Sequence, residues 1–188
     1  MNFHPGETLA ARIKRKKGLA LQEGLEITRQ ILTGLDHLHR KGVIHCDIKP
    51  ENILIDEENK VRLIDLGVSR IERMHATAKT TTPTGTPSYM APELFAGHEP
   101  DERADVVWGS PQYFSPEQAV GEAPSPSSDV YSLGIVLYEV LTGALPFNAP
   151  TSEDLARMHL EEQPIPISEY IPDVPPALEQ IVIKVLSK

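Results

Sequence analysis

The chain has 188 residues, of which 40% are hydrophobic, so it can bury the core of one domain. Its formal net charge of −9 leaves no broad basic surface for nucleic-acid phosphates, and we expect no nucleic-acid partner. The single cysteine, Cys46, excludes an internal disulfide, and no apolar run approaches the roughly 18 to 20 residues that span a bilayer. We therefore expect a cytoplasmic chain without a membrane segment.

The first part of the sequence predicts one long helix and one hairpin. Apolar residues recur at helical spacing over about 20–41, and Gly42 follows as a C-terminal stop. Two short β-rich runs, 52–55 and 60–64, flank a polar turn. The basic run over 12–17 is interpreted as a solvated helix face or turn, with a docking patch as the alternative.

The second part predicts an irregular segment followed by three helices. Residues 77–126 are rich in Thr, Ser and Gly and hold eight of the 17 prolines, which excludes long helices and central strands there. An apolar helical stripe then begins at Ser128 and is closed by Gly143. Further helices are predicted near Thr151 and after Pro176. The predicted fold class is mainly α with a small β-hairpin.

A group of polar residues brackets the predicted hairpin. The run from His45 to Asn52 reads His-Cys-Asp-Ile-Lys-Pro-Glu-Asn, and Asp65 opens Asp-Leu-Gly at the end of the second strand. Two carboxylates and an amide therefore converge at one end of a small sheet. Phosphoryl transfer needs such a group, because its catalysis is mostly positioning and neutralisation of phosphate charge.

This pattern resembles the signature of the protein kinase family. The family has His-Arg-Asp, four residues and Asn, followed by Asp-Phe-Gly, and this chain keeps both spacings with Cys46 for Arg and Leu66 for Phe. The central apolar helix is similar to the form common among bacterial Ser/Thr kinases. The resemblance implies a protein kinase-like C-terminal lobe that uses ATP and Mg²⁺.

The resemblance also implies roles for individual residues. Asp47 would orient the substrate hydroxyl and accept its proton, and Lys49 would lie against the transferring phosphoryl group. Asn52 and Asp65 would hold Mg²⁺ and, with Lys49, bind the nucleotide. His45 would be structural.

Two features favour a protein substrate over a small metabolite. Small-molecule phosphotransferases share a related His-x-Asp-x₄-Asn pattern, but Lys49 is typical of Ser/Thr kinases. The run over 85–93, Gly-Thr-Pro-Ser-Tyr-Met-Ala-Pro-Glu, resembles the family's peptide-binding loop. The implied substrate-loop residues are Thr86, Pro87, Ser110 and Pro111.

The peptide-binding segment occurs twice, over 85–108 and 109–132, with a period of 24. The first-copy residues that recur are Gly85, Pro87, Tyr89, Pro92, Glu93, Gly97, Pro100, Asp105 and Val106. We predict that the second copy takes the family position, because only this copy continues into the apolar helix. The opposite arrangement would place Thr86 beside Asp47, and a fusion of two gene pieces would also produce the repeat.

The 188 residues contain no G-x-G-x-x-G run and no Val-Ala-Ile-Lys-like strand. We therefore interpret 1–188 as a partial protein kinase domain, a C-terminal lobe that is weak or inactive without an N-terminal lobe. A separate N-lobe or a longer parent chain would restore activity. The alternatives are a catalytically dead interaction module and, less favoured, a small-molecule phosphotransferase.

Regulation by loop phosphorylation is expected to be weak. Cys46 replaces the arginine that would bind a phosphorylated loop through charge-assisted hydrogen bonds. The family's later arginine partner for Glu93 or Glu117 is also missing from the sequence. Candidate phosphorylation sites in the Thr-rich segment are Thr80, Thr81, Thr82 and Thr84.

Overall fold

The computed structural model describes residues 6–66 and 110–188, together with the backbone of 70–71. The strands are β1 (Glu7–Thr8), β2 (Val43–Ile44), β3 (Ile53–Ile55), β4 (Val61–Leu63) and β5 (Arg70–Ile71). The helices are α1 (Leu9–Lys16), α2 (Leu21–His39), α3 (Pro116–Ala119), α4 (Pro126–Thr142), α5 (Ser152–Glu161) and α6 (Pro176–Val185). The 3-10 turns of the described ranges are Pro50–Asn52, Pro111–Tyr113 and Ile167–Glu169. This mainly helical architecture with small antiparallel sheets confirms the predicted fold class.

The predicted hairpin is present as β3 and β4, which pair antiparallel. Its turn is fixed by Asp56, whose Oδ1 accepts from the backbone N–H groups of Glu58 at 3.0 Å and Lys60 at 2.8 Å. Two further pairings were not predicted from the sequence: β1 adds to the other edge of β3, and β2 pairs with β5. Strands of two residues carry no periodicity that a sequence pattern could reveal.

Helices α2 and α4 form the centre of the core. Ile135, Val136 and Val140 of α4 are completely buried. Gly24 lets α2 approach closely, because a Cβ at this position would lie 2.9 Å from Val140 Cγ1. On another face of α4, Gly134 makes room for α6, since a Cβ there would lie 2.6 Å from Val185 Cγ1.

The bounds of α4 differ slightly from the prediction. The helix starts at Pro126 and ends at Thr142, two residues earlier at its start than the predicted Ser128. Ser125 caps the start in a capping box with Ser128, and proline at the first helical position suits the fixed φ of its ring. Gly143 closes the end in the left-handed region, with φ 73°, as the sequence predicts.

The basic run over 12–17 lies mainly on α1. Arg12 is buried, and its guanidinium donates to Glu7 at 2.8 Å and to the Asn59 side chain at 3.0 Å. Arg15 also donates to Glu7, and the two arginines, Arg15 foremost, lower the pKa of that carboxyl group. The charges of this run are therefore largely engaged within the chain, which argues against the docking-patch alternative.

Among the described residues, no helix combines the length and apolar character needed to cross a bilayer.

Candidate active site

The loop after β2 carries the predicted catalytic residues and is anchored by one buried carboxylate. Asp129, in the first turn of α4, is only 1% exposed. Its oxygens accept from the backbone N–H groups of His45 and Cys46, each at 2.9 Å. Cys46 adopts the left-handed conformation, with φ 66°, which is uncommon for a residue with a side chain. Asp129 therefore stabilises a loop conformation that is unfavourable for Cys46 by itself.

His39 completes the surroundings of Asp129. Its Nε2 donates to Asp129 Oδ2 at 2.7 Å from the end of α2. Three donors thus face one buried carboxylate, which offsets the desolvation of its charge. No cluster of three or more His, Cys, Asp or Glu side chains suited to a metal occurs in residues 6–66 and 110–188.

His45 is completely buried beneath the loop. Its Nδ1 accepts from the backbone N–H of Asp47 at 3.4 Å, so Nε2 carries the proton in the neutral ring. Burial lowers the pKa of His45, and the nearby Asp129 and Asp47 charges offset this only in part. A buried neutral imidazole of this kind supports the loop rather than reacting.

The structure brings Asp47, Lys49 and Asn52 together. Lys49 Nζ lies 2.8 Å from Asp47 Oδ2, and Asn52 Nδ2 donates to the same oxygen at 2.7 Å. Asn52 Nδ2 also donates to the Asp47 carbonyl at 2.9 Å. The predicted base is therefore held in one orientation by a cation and an amide.

Asp65 follows β4 and lies at the same end of the hairpin as Asn52, which directly precedes β3. The backbone N–H of Ile64 donates to the Asn52 carbonyl at 3.0 Å, which ties the two predicted metal-binding segments together. Asp65 is exposed and adopts a left-handed conformation, with φ 61°.

The donor chemistry of this pair suits Mg²⁺. Among the described contacts, the hydrogen bonds of Asn52 use its Nδ2, and Oδ1 is the atom that an ion would take. A carboxylate and an amide oxygen match a cation that binds one or two protein oxygens and takes the remaining ligands from water and phosphates. Asn52 and Asp65 therefore fit the predicted metal role.

Ser110 is the second-copy residue that reaches this cluster. Lys49 Nζ donates to Ser110 Oγ at 2.9 Å. The following turn, Pro111–Tyr113, is held by Ser132, whose hydroxyl donates to the Tyr113 carbonyl at 2.6 Å. The first-copy and phosphorylation-site residues Thr80, Thr81, Thr82, Thr84, Thr86 and Pro87 lie outside the described residues.

Tyr113 and Glu139 form a second polar contact below the turn. The Tyr113 hydroxyl donates to Glu139 Oε2 at 2.8 Å. Burial raises the pKa of Glu139, the Tyr113 hydrogen bond lowers it, and the charge of Glu51 raises it further. Two acidic side chains, Glu139 and Glu51, thus lie near Tyr113 of the predicted substrate segment.

A separate groove of about 630 Å³ lies between α2 and β4. Its lining includes Gly34, His37, Leu63 and Leu66, and Asp47, Lys49 and Asn52 do not line it. It borders the site only through Leu66, the neighbour of Asp65.

The comparison with protein families decides the assignment. The family described as the protein kinase domain matches residues 1–109 and, in a second match, residues 97–188. Together the two matches cover the entire chain.

The chain belongs to the protein kinase family. Among curated proteins, it is 35% identical over 188 residues to a probable serine/threonine-protein kinase PknB of Lactococcus lactis. It is 37% identical over 190 residues to the serine/threonine-protein kinase PknB of Mycolicibacterium smegmatis. Each comparison spans 100% of this chain but only 26% and 27% of the respective relative. The chain thus corresponds to about a quarter of these bacterial Ser/Thr kinases, and the predicted family resemblance is confirmed.

The structure places two residues at the catalytic loop that the motif alone did not single out. Asp129 lies 84 residues after His45 and binds the loop backbone. His39 lies 6 residues before His45 and donates to Asp129. The one available sequence signal for Asp129 was its place at the start of the family's buried helix, Asp-Val-Tyr-Ser-Leu-Gly. For His39 the sequence offered no distinguishing pattern.

Proposed function

We propose that this kinase-family chain takes part in transferring the γ-phosphate of ATP to Ser or Thr hydroxyls of proteins. The observation that carries the proposal is the orientation of the Asp47 carboxylate by Lys49 and Asn52, with the Ser110 hydroxyl held at the same lysine. A base fixed in this way can receive a hydroxyl proton without rearranging.

Each residue of the cluster has a distinct role in the proposal. Asp47 orients the acceptor hydroxyl and takes up its proton. Lys49 neutralises the charge beside that hydroxyl, and Asn52 and Asp65 supply oxygens for Mg²⁺. The bound Mg–ATP supplies the phosphoryl group and the leaving oxygen. Catalysis by the chain's own residues is then positioning and charge neutralisation.

We also propose that the second copy of the repeat, 109–132, is the working peptide-binding segment. The contact between Lys49 and Ser110 supports this arrangement. Two family matches that overlap at 97–109 are what a duplicated segment would produce. Glu117 was expected to lack the arginine partner that the family has. Its carboxylate instead accepts a hydrogen bond from the Ser128 hydroxyl at 2.5 Å.

The ATP phosphates need a clamp that this cluster does not contain. No glycine-rich phosphate loop occurs in the 188 residues. We propose that these residues form the C-terminal lobe, that the clamp comes from an N-terminal lobe on another segment or polypeptide, and that turnover by this chain alone is low.

The experiment supplies ATP, Mg²⁺ and a Ser/Thr peptide library to the chain alone and to the chain mixed with a kinase N-lobe. Mass spectrometry then identifies phosphorylated residues. We expect peptide phosphorylation in the mixture and little in the chain alone. Peptide binding without transfer in either arm would favour the interaction module, and transfer to a metabolite pool but to no peptide would favour the small-molecule phosphotransferase.

A further inference from the structure

His159 lies in a buried polar contact chain that is separate from the catalytic cluster. Its helix, α5, packs against α3 and against the turn Pro111–Tyr113. The side chain is completely buried, and its ring meets Phe147 edge-on with 5.0 Å between centroids. Polar atoms buried to this extent are normally hydrogen-bonded, so each ring nitrogen calls for a partner.

The partner of Nδ1 is the Tyr131 hydroxyl, at 3.1 Å. Lys188 Nζ donates to that hydroxyl at 3.2 Å and lies 4.3 Å from the centroid of Phe147. Because an ammonium group can only donate, the Tyr131 oxygen accepts from Lys188, which leaves its own proton available to Nδ1. Burial, followed by the charge of Lys188, lowers the pKa of His159 to about 4. The ring is therefore neutral near pH 7, and in the tautomer whose Nδ1 accepts from Tyr131 the ring proton lies on Nε2.

The surroundings of the second ring nitrogen, Nε2, include the turn Pro111–Tyr113, which packs against α5. Within residues 6–66 and 110–188, this atom has no partner that meets hydrogen-bond geometry. The turn that contains Pro111 packs against α5, and the Pro111 carbonyl offsets part of the lowering of the His159 pKa. That carbonyl also accepts from the Phe114 N–H at a long 3.3 Å, so it has capacity for a second donor. Pro111 is thus the acceptor available to the buried proton.

We propose that His159 is a positioning residue for the substrate segment 110–114, acting through the Pro111 carbonyl. This inference rests on the proposed protein-phosphorylating function. The segment is held at one end by Lys49 through Ser110 and at the other by Ser132 through the Tyr113 carbonyl. His159 supports the turn between these two points from α5.

Two substitutions separate the two nitrogens of the ring. His159→Gln places an amide N–H near the position of Nε2 and keeps a donor for Pro111. His159→Asn places its amide near Nδ1, keeps a partner for Tyr131 and withdraws the donor from Pro111. Tyr138→Phe is the matched control, because it removes another α4 tyrosine hydroxyl whose hydrogen bond goes to the Ile165 carbonyl.

The first readout is amide hydrogen exchange of Tyr113 and Phe114 in the 188-residue chain, with thermal unfolding measured in parallel. We expect His159→Asn to accelerate exchange at these two amides roughly tenfold. His159→Gln should restore slow exchange, and Tyr138→Phe should leave these amides unchanged. Equal exchange in the Asn and Gln variants, or a uniform increase along the chain that follows a lower Tm, would overturn the proposal.

The second readout is peptide phosphorylation by the N-lobe-supplemented chain. His159→Asn should raise the peptide KM roughly tenfold with kcat within about twofold and an unaltered KM for ATP. A fall in kcat alone, or an equal change in both KM values, would contradict a positioning role. If the wild-type chain phosphorylates no peptide, the proposed function fails, and the exchange experiment still decides whether His159 holds the segment.

Discussion

At the scale of single residues, Asp129 anchors the catalytic loop. It is buried, accepts two backbone N–H groups of the catalytic loop, and pairs with His39. Asparagine at position 129 would keep one acceptor oxygen and replace the other with an NH₂ group. At least one of the three donors would then face another donor. The loop conformation at Cys46, which needs this support, would then relax.

We predict that Asp129→Asn lowers the free energy of unfolding by about 2 to 3 kcal/mol, because buried donors lose a charged acceptor. Urea denaturation measures this change. Asp36→Asn is the control, since Asp36 pairs with Arg40 on the exposed surface of α2 and should change stability by less than about 0.5 kcal/mol. Equal effects of the two substitutions would contradict the anchoring role of Asp129.

We predict that stability falls as the pH decreases from about 6.5 to about 4. Burial lowers the pKa of His159 to about 4 and also lowers that of His45, so the unfolded state binds more protons in this window. Protonation therefore favours unfolding, by at most about 3 kcal/mol for His159. Urea titrations between pH 7 and pH 4 test this, and His159→Gln should flatten the slope. A slope that the variant leaves unchanged would rule out His159 as its source.

At the scale of elements, the long helix and the hairpin followed directly from sequence. Apolar spacing and Gly42 located α2, and two β-rich runs around a polar turn located β3 and β4. The short strand β1 was not located, and the basic run of α1 was interpreted only as a helix face or turn, because the stability of both elements comes from contacts distant in sequence. The Arg12 side chain, for example, reaches Asn59 in the hairpin turn.

The packing of α6 on α4 gives a prediction at this scale. Gly134→Ala would place a Cβ 2.6 Å from Val185 Cγ1 and 3.0 Å from Leu186 Cδ2. Valine is stiff about χ1, so α6 must shift, and we expect a loss of about 1 to 3 kcal/mol in thermal or urea unfolding.

Gly34→Ala on α2 is the matched control for this prediction. Its Cβ would lie 3.2 Å from the end of the Leu63 side chain, which can rotate away. The higher helix propensity of alanine offsets part of that cost, so the change should stay below about 1 kcal/mol. If Gly134→Ala and Gly34→Ala lower the free energy of unfolding equally, α6 is not closely packed against α4.

At the scale of the whole molecule, the site joins parts of the chain that only the fold brings together. The motif spacing was enough to predict that Asp47, Lys49 and Asn52 come together, because these residues lie within 19 residues of one another and of Asp65 around one hairpin, and their roles stay a prediction. It could not reveal the support from α4, since Asp129 contacts the catalytic loop only through tertiary packing, or the packing of α5 and its His159 against the turn Pro111–Tyr113. The role of the repeat also stays a prediction, because its first copy lies outside the described residues.

The most direct test of the proposed phosphotransfer site is the turnover of Asp47→Asn against Asp36→Asn, with ATP, Mg²⁺, a Ser/Thr peptide and an N-lobe supplied. Asparagine keeps the contact geometry of Asp47 but cannot take up the hydroxyl proton. We predict that kcat falls roughly 10²- to 10⁴-fold for Asp47→Asn with a similar peptide KM, while Asp36→Asn matches the wild type. Turnover of Asp47→Asn at the wild-type rate would contradict the assignment of this cluster as the phosphotransfer site.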